Sequence, residues 1–416
     1  MGVVVLIGTL DTKGREYQYM RDCLVAAGAE TILVDVGVLI DPAVKADISA
    51  AEVVAAAGSA IEALRFTREG SDTRAVALET MRKGALAIVR DLIAAGRCDA
   101  VLGAAGSGGS TVISGVMREL PLGLPKLLVT TFASGAQAFF GTRDLTLMHA
   151  VTDIAGLNRF SRTILANAAH AVAGMIARRP PGHEAAKPTV AITMFGVTTP
   201  GVLRVQDRLH AAGFETLVFH AVGSGGRAME QMIDEGLVDG VVDYTTSELT
   251  DELLGGVFSA GPTRLTAAGR RGLPQVVIPG AIEVLNFGPR VTVPAAFDTP
   301  ERRLVVHNPY VSAVRTLKSE AIELARIMSR RLQDATGPTA VLVPGMGFDS
   351  YQRRPDGPFI DEDADRAFCD ELQRSLRPDI ARLELPLNIN DSAFADRVAD
   401  TFLELWRARP STDASP

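Results

Sequence analysis

Cysteine is almost missing from this chain. Its 416 residues include three, Cys23, Cys98 and Cys369, widely spaced and odd in number, which argues against a disulfide framework or a cysteine-rich zinc site. Aromatic residues make up only 5%, and no basic run or basic–aromatic stripe occurs. With a formal net charge of −7, the chain is not built to bind a phosphate backbone as its main task. No uninterrupted apolar stretch approaches membrane-spanning length. The apolar start Met1–Thr9 is short and lacks a basic lead, so it reads as a first strand rather than a signal peptide. These absences together predict a cytoplasmic protein in a reducing compartment, without nucleic-acid or membrane partners. Gly-Lys dipeptides are also absent, which excludes a Walker-type phosphate loop. The six histidines lack ligand spacing, and His183-Glu184 lacks the second histidine of a zincin.

What remains is rich in Ala, Val, Leu and Gly, and 47% apolar, a composition suited to buried parallel strands under Ala-rich helices. The length exceeds one ordinary core, so two domains are expected. Two echoes support a duplication. Arg21-Asp22-Cys23-Leu24-Val25-Ala26-Ala27-Gly28-Ala29-Glu30-Thr31 returns as Gln206-Asp207-Arg208-Leu209-His210-Ala211-Ala212-Gly213-Phe214-Glu215-Thr216. Gly123-Leu124-Pro125 before an apolar strand returns as Gly272-Leu273-Pro274. A period this long points to duplicated domains, not a solenoid.

Strands alternate with helices in both halves, which predicts an α/β fold of two doubly wound, mostly parallel-sheet (Rossmann-like) subdomains with an interdomain cleft. The expected boundaries are 1–180, a linker at 181–188 marked by Pro180-Pro181-Gly182, a second subdomain at 189–408, and a frayed tail at 409–416. Strands are expected in the second half near Glu215–Ala221, Gly240–Tyr244, Gln275–Ile278, Leu304–Val306 and Thr339–Val343. Helices are expected there at Gly201–Ala212, Arg227–Glu235, Ser312–Gln333, Asp363–Leu376 and Asp391–Arg407.

Ligands of parallel sheets bind beyond the carboxyl ends of the strands, so loops that follow strands carry the weight. Gly106, Ser107, Gly108, Gly109, Ser110 and Thr111 join a strand to a helix. Glycine lets main-chain N–H groups approach an anion, the helix N-terminus adds partial positive charge, and the hydroxyls can donate to phosphate. The same residues would also serve as a strand–helix turn with a serine cap. Gly223-Ser224-Gly225-Gly226-Arg227-Ala228 has the G-x-G-x-x-A form, with Asp243 or Glu248 as its acidic ribose partner, although it follows the second strand of its half instead of the first. Thr9-Leu10-Asp11-Thr12-Lys13-Gly14 and Gly196-Val197-Thr198-Thr199-Pro200-Gly201 hold equivalent places after each first strand. There Lys13 supplies a charge for phosphate and Asp11 an oxygen for Mg2+, while plain helix capping explains the same residues. Thr245, Thr246 and Glu248 form a hydroxyl-rich acidic turn that also matches a capping box. Arg264, closing a second glycine-rich loop, could clamp a phosphate or carboxylate, and Asp153 either faces the site or caps the following helix. A rival reading makes Ala105-Gly106-Ser107-Gly108-Gly109 a nucleophile elbow, with Ser107 served by Asp153 and His307.

The order of these motifs resembles the ATP-binding N-terminal domain of the tobamovirus multiplication inhibitor family of tomato, shared with uncharacterised bacterial proteins. The matching stretches include Gly8–Gly14, Gly106–Ser110, Thr131-Phe132-Ala133-Ser134-Gly135, Asp153–Arg159, Met194–Pro200, Gly225–Glu230, Gly255–Arg264 and His307-Asn308-Pro309, and they run over nearly the whole chain. The resemblance implies a two-subdomain nucleotide-binding α/β protein, a homodimer, with ATP and Mg2+ in the cleft. It adds Gly8, Thr131, Ser134 and Gly135 to the ATP-binding candidates, with Asp11 and Asp153 as the metal candidates. Leu387-Asn388-Ile389-Asn390-Asp391 departs from the family, where His often precedes Ile-Asn-Asp. The reaction stays open between a nucleotide-binding protein, a ligase or hydrolase acting on a phosphorylated or carboxylated metabolite, and a non-catalytic nucleotide-gated interaction module.

Overall fold

A computed structural model describes residues 2–42, 44–65, 71–177, 187–352 and 357–409. Residues 181–186 of the expected linker 181–188 and residues 410–416 of the expected tail 409–416 lie outside the described residues. The chain divides into two compact units, Met1–Gly182 and His183–Pro416.

The first unit is built on five parallel strands, β1 (Val3–Gly8), β2 (Glu30–Asp35), β3 (Ala100–Ala105), β4 (Lys126–Thr130) and β5 (Thr146–His149), in the order β2-β1-β3-β4-β5. Apolar residues at every position of β1 explain its place inside the sheet, because alternate side chains serve opposite faces. Val5 and Ile7 pack under the helices Ser71–Ala94 and Ser107–Met117, against Met81, Val89, Ile113 and Val116. Val4 and Leu6 pack on the other face under the helices Leu10–Ala26 and Arg159–Ala177, against Met20, Leu24, Leu165 and Val172. The unit is doubly wound.

The second unit repeats the plan and extends it. β6 (Thr189–Met194), β7 (Glu215–His220), β8 (Gly240–Thr245) and β9 (Gln275–Gly280) belong to its parallel sheet. Next come β10 (Val284–Phe287), β11 (Val305–Asn308) and β12 (Val311–Arg315), then β13 (Thr339–Pro344) and β14 (Ala381–Leu385). The parallel sheet runs β14-β13-β9-β8-β6-β7, while β10-β12-β11 form a small antiparallel sheet. Taken in chain order, the first five parallel strands have the 2-1-3-4-5 arrangement of the first unit. Local bonds repeat as well. Asp99 accepts the N–H of Val3 at 2.8 Å, and Asp239 accepts that of Thr189 at 2.8 Å. Arg21 donates to Thr31 at 3.1 Å, and Gln206 to Thr216 at 3.0 Å. Each echoed helix stops at a left-handed glycine, Gly28 (φ 86°) or Gly213 (φ 91°).

Two expectations need correction. The helix expected from Ser312 starts at Lys318, because Val311–Arg315 alternates as β12 and the Glu320 carboxylate accepts the Leu317 N–H at 2.8 Å to open the helix. β14 was not anticipated, because Arg382 and Glu384 interrupt its apolar pattern. It is an edge strand, where charges are tolerated and suppress further pairing.

Candidate functional site

β1 and β3 are neighbours whose connections leave toward opposite faces, the arrangement that opens a crevice at their carboxyl ends. The buried Tyr17 hydroxyl bridges the two strands there. It donates to Ile7 O (2.5 Å) or Ala104 O (3.0 Å) and accepts the Ala104 N–H (2.7 Å). Burial pushes its pKa well up, so it stays a phenol. A Cβ on Gly8 would stand 2.0 Å from the Tyr17 ring. Gly8 thus makes room for that ring, and the ligand contact expected of it has a packing explanation.

Three loops meet beyond these ends. The helix Ser107–Met117 starts at Gly106 with no side-chain cap, and Ser107 is exposed. Its first intrahelical bond is from Ser110 N–H to Gly106 O, so the amides of Ser107, Gly108 and Gly109 precede the ladder. A Cβ on Gly109 would lie 3.8 Å from the Thr9 methyl, and one on Gly106 would lie 3.7 Å from the Thr131 hydroxyl. The loops after β1, β3 and β4 therefore converge on the uncapped helix start. Thr9 and Thr12 face each other at 3.2 Å between hydroxyls. Lys13 donates to Ile154 O at 2.6 Å, which brings in the Asp153 loop. Asp11 accepts the Leu39 N–H through Oδ2 at 2.9 Å, whereas its Oδ1 is buried without a hydrogen-bond partner. The exposed Asp153 accepts the N–H of Ile154 at 2.8 Å.

Other predicted residues divide between the interior and the surface. Ser110 is fully buried and paired with Thr130 at 2.8 Å, while Thr111 donates back to Ser107 O at 3.0 Å. Ser134 and Gly135 lie in the short turn Ala133–Gly135, with Ser134 exposed. Ser107 is an ordinary first helical residue. Among the described residues, the non-glycine residues with positive φ are Val151, Leu265, Ala281 and Arg303, so the strained turn of a nucleophile elbow is not at Ser107. His307 contacts the Tyr351 hydroxyl at 2.9 Å.

In the second unit the hydroxyls satisfy the fold itself. Thr198 donates to Phe195 O at 3.1 Å and meets the Thr245 hydroxyl at 2.8 Å; Thr199 donates to Phe195 O at 3.1 Å, and Thr246 to Ile278 O at 3.2 Å. Gly196 is exposed in the turn that precedes the helix Thr199–Ala211. The G-x-G-x-x-A turn already holds an anion. Glu248 accepts the N–H groups of Gly223 (2.7 Å) and Gly226 (3.1 Å), and its other oxygen accepts Arg264 Nε at 2.6 Å. Arg264, fully buried, also forks onto Asp243 at 2.5 and 2.6 Å and reaches Glu230 at 3.3 Å. Burial raises the Glu230 pKa despite the nearby guanidinium. Glu248 and Arg264 are thus spent on each other, Gly225 packs against His220 O, and Arg227 donates to Ser259 O at 2.6 Å. The Gly223 and Gly226 amides that would meet a phosphate in a dinucleotide site are taken by Glu248.

Sequence reasoning passed over the loop after β13 and noted Leu387–Asp391 after β14 only as a departure from the family. They border a cavity of about 820 Å³ lined by Met346, Glu362 and Asn388 among others. The available signal was Gly345-Met346-Gly347 directly after an apolar strand. Among the described residues no helix is long and apolar enough to cross a membrane, and no group of three or more His, Cys, Asp or Glu could hold a metal ion.

Known proteins are similar to this chain in sequence. A "UPF0261 protein" of Clostridium tetani is 40% identical, with 97% of this chain and 98% of that protein covered. A second, from Rhizobium meliloti, is 42% identical over 97% of this chain and 98% of its own length. The ToMV resistance protein Tm-1(GCR237) of Solanum lycopersicum is 40% identical over 73% of this chain, but only 41% of that longer protein is covered. Among solved structures, spinosyn rhamnosyltransferase SpnG covers 99% of this chain and 97% of its own at 12% identity, with a TM-score of 0.20, too low to carry an argument. The N-terminal domain model of the uncharacterised protein family UPF0261 matches residues 2–181 and its C-terminal domain model residues 187–406, so this chain belongs to the UPF0261 family.

Proposed function

We propose that the first unit binds the phosphate chain of ATP at the carboxyl ends of β1, β3 and β4. One observation carries this reading: the helix Ser107–Met117 begins on glycines without a side-chain cap, against Thr9 and Thr131 of the neighbouring loops. Amides that precede the helical ladder need acceptors, and a phosphate supplies them where partial positive charge favours it. The chain shows the same chemistry elsewhere, where glycine amides at a helix start hold the Glu248 carboxylate. Lys13 adds a cation in the first turn of the helix that follows Thr9.

Mg2+ fits this site only as a partner of the nucleotide. Asp11 Oδ1 is an orphaned buried oxygen suited to a hard cation, and no protein cage accompanies it among the described residues. That matches the habit of Mg2+ to take one or two carboxylates and complete its shell with phosphate oxygens and water.

Calorimetric titration of the full chain with ATP in the presence of Mg2+ tests the reading. Saturable heat is expected, and a flat titration would refute it. Phosphate release in the same samples separates an ATP-consuming enzyme from a nucleotide-gated binding module.

A further inference from the structure

The second unit holds a separate cavity whose chemistry differs from a phosphate site. β13 and β14 are parallel neighbours ending at Pro344 and Leu385, and the loops that follow them are joined. Met346 N–H donates to Leu387 O and Ile389 N–H to Gly347 O, both at 3.1 Å. The Asn388 amide donates to Met346 O (3.2 Å) and Asp349 O (3.1 Å). Gly347 has φ 120°, and a Cβ there would stand 2.8 Å from the Asn388 amide nitrogen, so this wall requires glycine. The facing wall is the start of the helix Glu362–Ser375. It is anchored by Gln352 Nε2 donating to Asp365 at 2.6 Å and by Arg315 paired with the same carboxylate. A preformed space of about 820 Å³ at the carboxyl ends of parallel strands has the size and place of a metabolite site.

Charge decides what would enter. Among the described residues, five carboxylates line the cavity, Glu362, Asp363, Asp365, Glu384 and Asp391, against one cation, Arg366. Arg366 is taken up by Glu384 at 3.0 Å, and Asp365 is committed to Gln352 and Arg315. Glu362 and Asp363, both exposed, sit in the first helical turn, where negative charge suits the helix N-terminus. The dipole accounts for their charge but not for the apolar surface beside them, where Ile360 and Met346 line the same space and Met346 is 64% exposed.

We infer that this cavity binds a small organic cation, an ammonium or guanidinium group on a short aliphatic body. Its charged end lies against Glu362 and Asp363, and its carbon chain lies on Met346 and Ile360. Anions are disfavoured by the same carboxylates, so the site is independent of nucleotide binding by the first unit.

Calorimetry of the full chain with agmatine, and with 1,5-pentanediol as the uncharged control, tests this. Saturable binding of agmatine, none of the diol, and at least a tenfold loss of affinity in the Glu362→Gln/Asp363→Asn double variant are expected. Met346→Arg, a change at an exposed position, delivers a guanidinium from the chain itself and should abolish agmatine binding even if the double variant fails to fold. No agmatine binding, or binding that persists in a folded variant of either kind, overturns the inference. ATP titrations of the same samples read the first unit alone, so failure of one proposal is distinguishable from failure of the other.

Discussion

The carboxylate of Glu248 accepts the main-chain N–H of Gly226 at 3.1 Å, and a Cβ on Gly226 would lie 2.0 Å from that carboxylate. A turn that reads as a dinucleotide fingerprint is therefore an internal anion site, closed by the chain's own acid and locked by Arg264. Removing Glu248 leaves two glycine amides and part of a buried guanidinium without acceptors. Glu248→Ala should cost about 3–5 kcal/mol of stability, the usual penalty for breaking a buried charge pair. Urea unfolding followed by circular dichroism measures it; a loss below about 1 kcal/mol would show that the network relaxes around the deletion.

Ser107→Asp separates folding from ligand binding in the first unit. An acidic residue in the first helical turn is favourable by about 0.3–1 kcal/mol, so Tm should hold or rise. The same negative charge repels phosphate at the uncapped amides, and affinity for MgATP should fall at least about tenfold, which corresponds to about 1.4 kcal/mol. Unchanged affinity in the calorimeter would remove this helix start from the proposed site.

The pH dependence of stability should carry the mark of Asp251. This fully buried carboxyl accepts the N–H groups of Phe258 (3.0 Å) and Asn286 (3.3 Å), and burial pushes its pKa up to about 7. The unfolded value is about 3.9, so between these two values the folded state binds more protons than the unfolded state. Stability from this group is fully present below pH 4 and declines as pH rises toward 7, by at most about 1.4 kcal/mol per pH unit. Asp251→Asn keeps a neutral polar group beside Asn286, whose Oδ1 has no partner and can accept from the new amide. The variant should unfold with a flatter pH profile over that range; an unaltered profile would assign the slope to other groups.

Two glycines of the second unit should differ sharply in tolerance. A Cβ on Gly213 meets nothing within 4 Å, so Gly213→Ala costs only the strain of its φ of 91°, about 1 kcal/mol. A Cβ on Gly225 would stand 2.0 Å from His220 O, a main-chain atom that cannot swing away. Gly225→Ala should therefore cost several times more in a thermal unfolding comparison, and equal costs would contradict the packing described.

The amino-acid order alone was enough for features that depend on near neighbours: strands read from apolar runs, helix stops at Gly28 and Gly213, the repeated units, and the glycine-rich loop at Gly106–Thr111. Each is governed by backbone freedom or side-chain period within a few residues, and the chain writes those down directly. Tertiary structure alone decided which polar groups remain open. Thr198 and Thr245, 47 positions apart, satisfy each other, whereas the amides behind Gly106 do not meet a side-chain cap. It also decided that the loops after β13 and β14 enclose a cavity with the helix at Glu362. Hydrogen-bond partners and cavity walls are chosen across tens of residues by how the layers pack, and no local pattern records that choice.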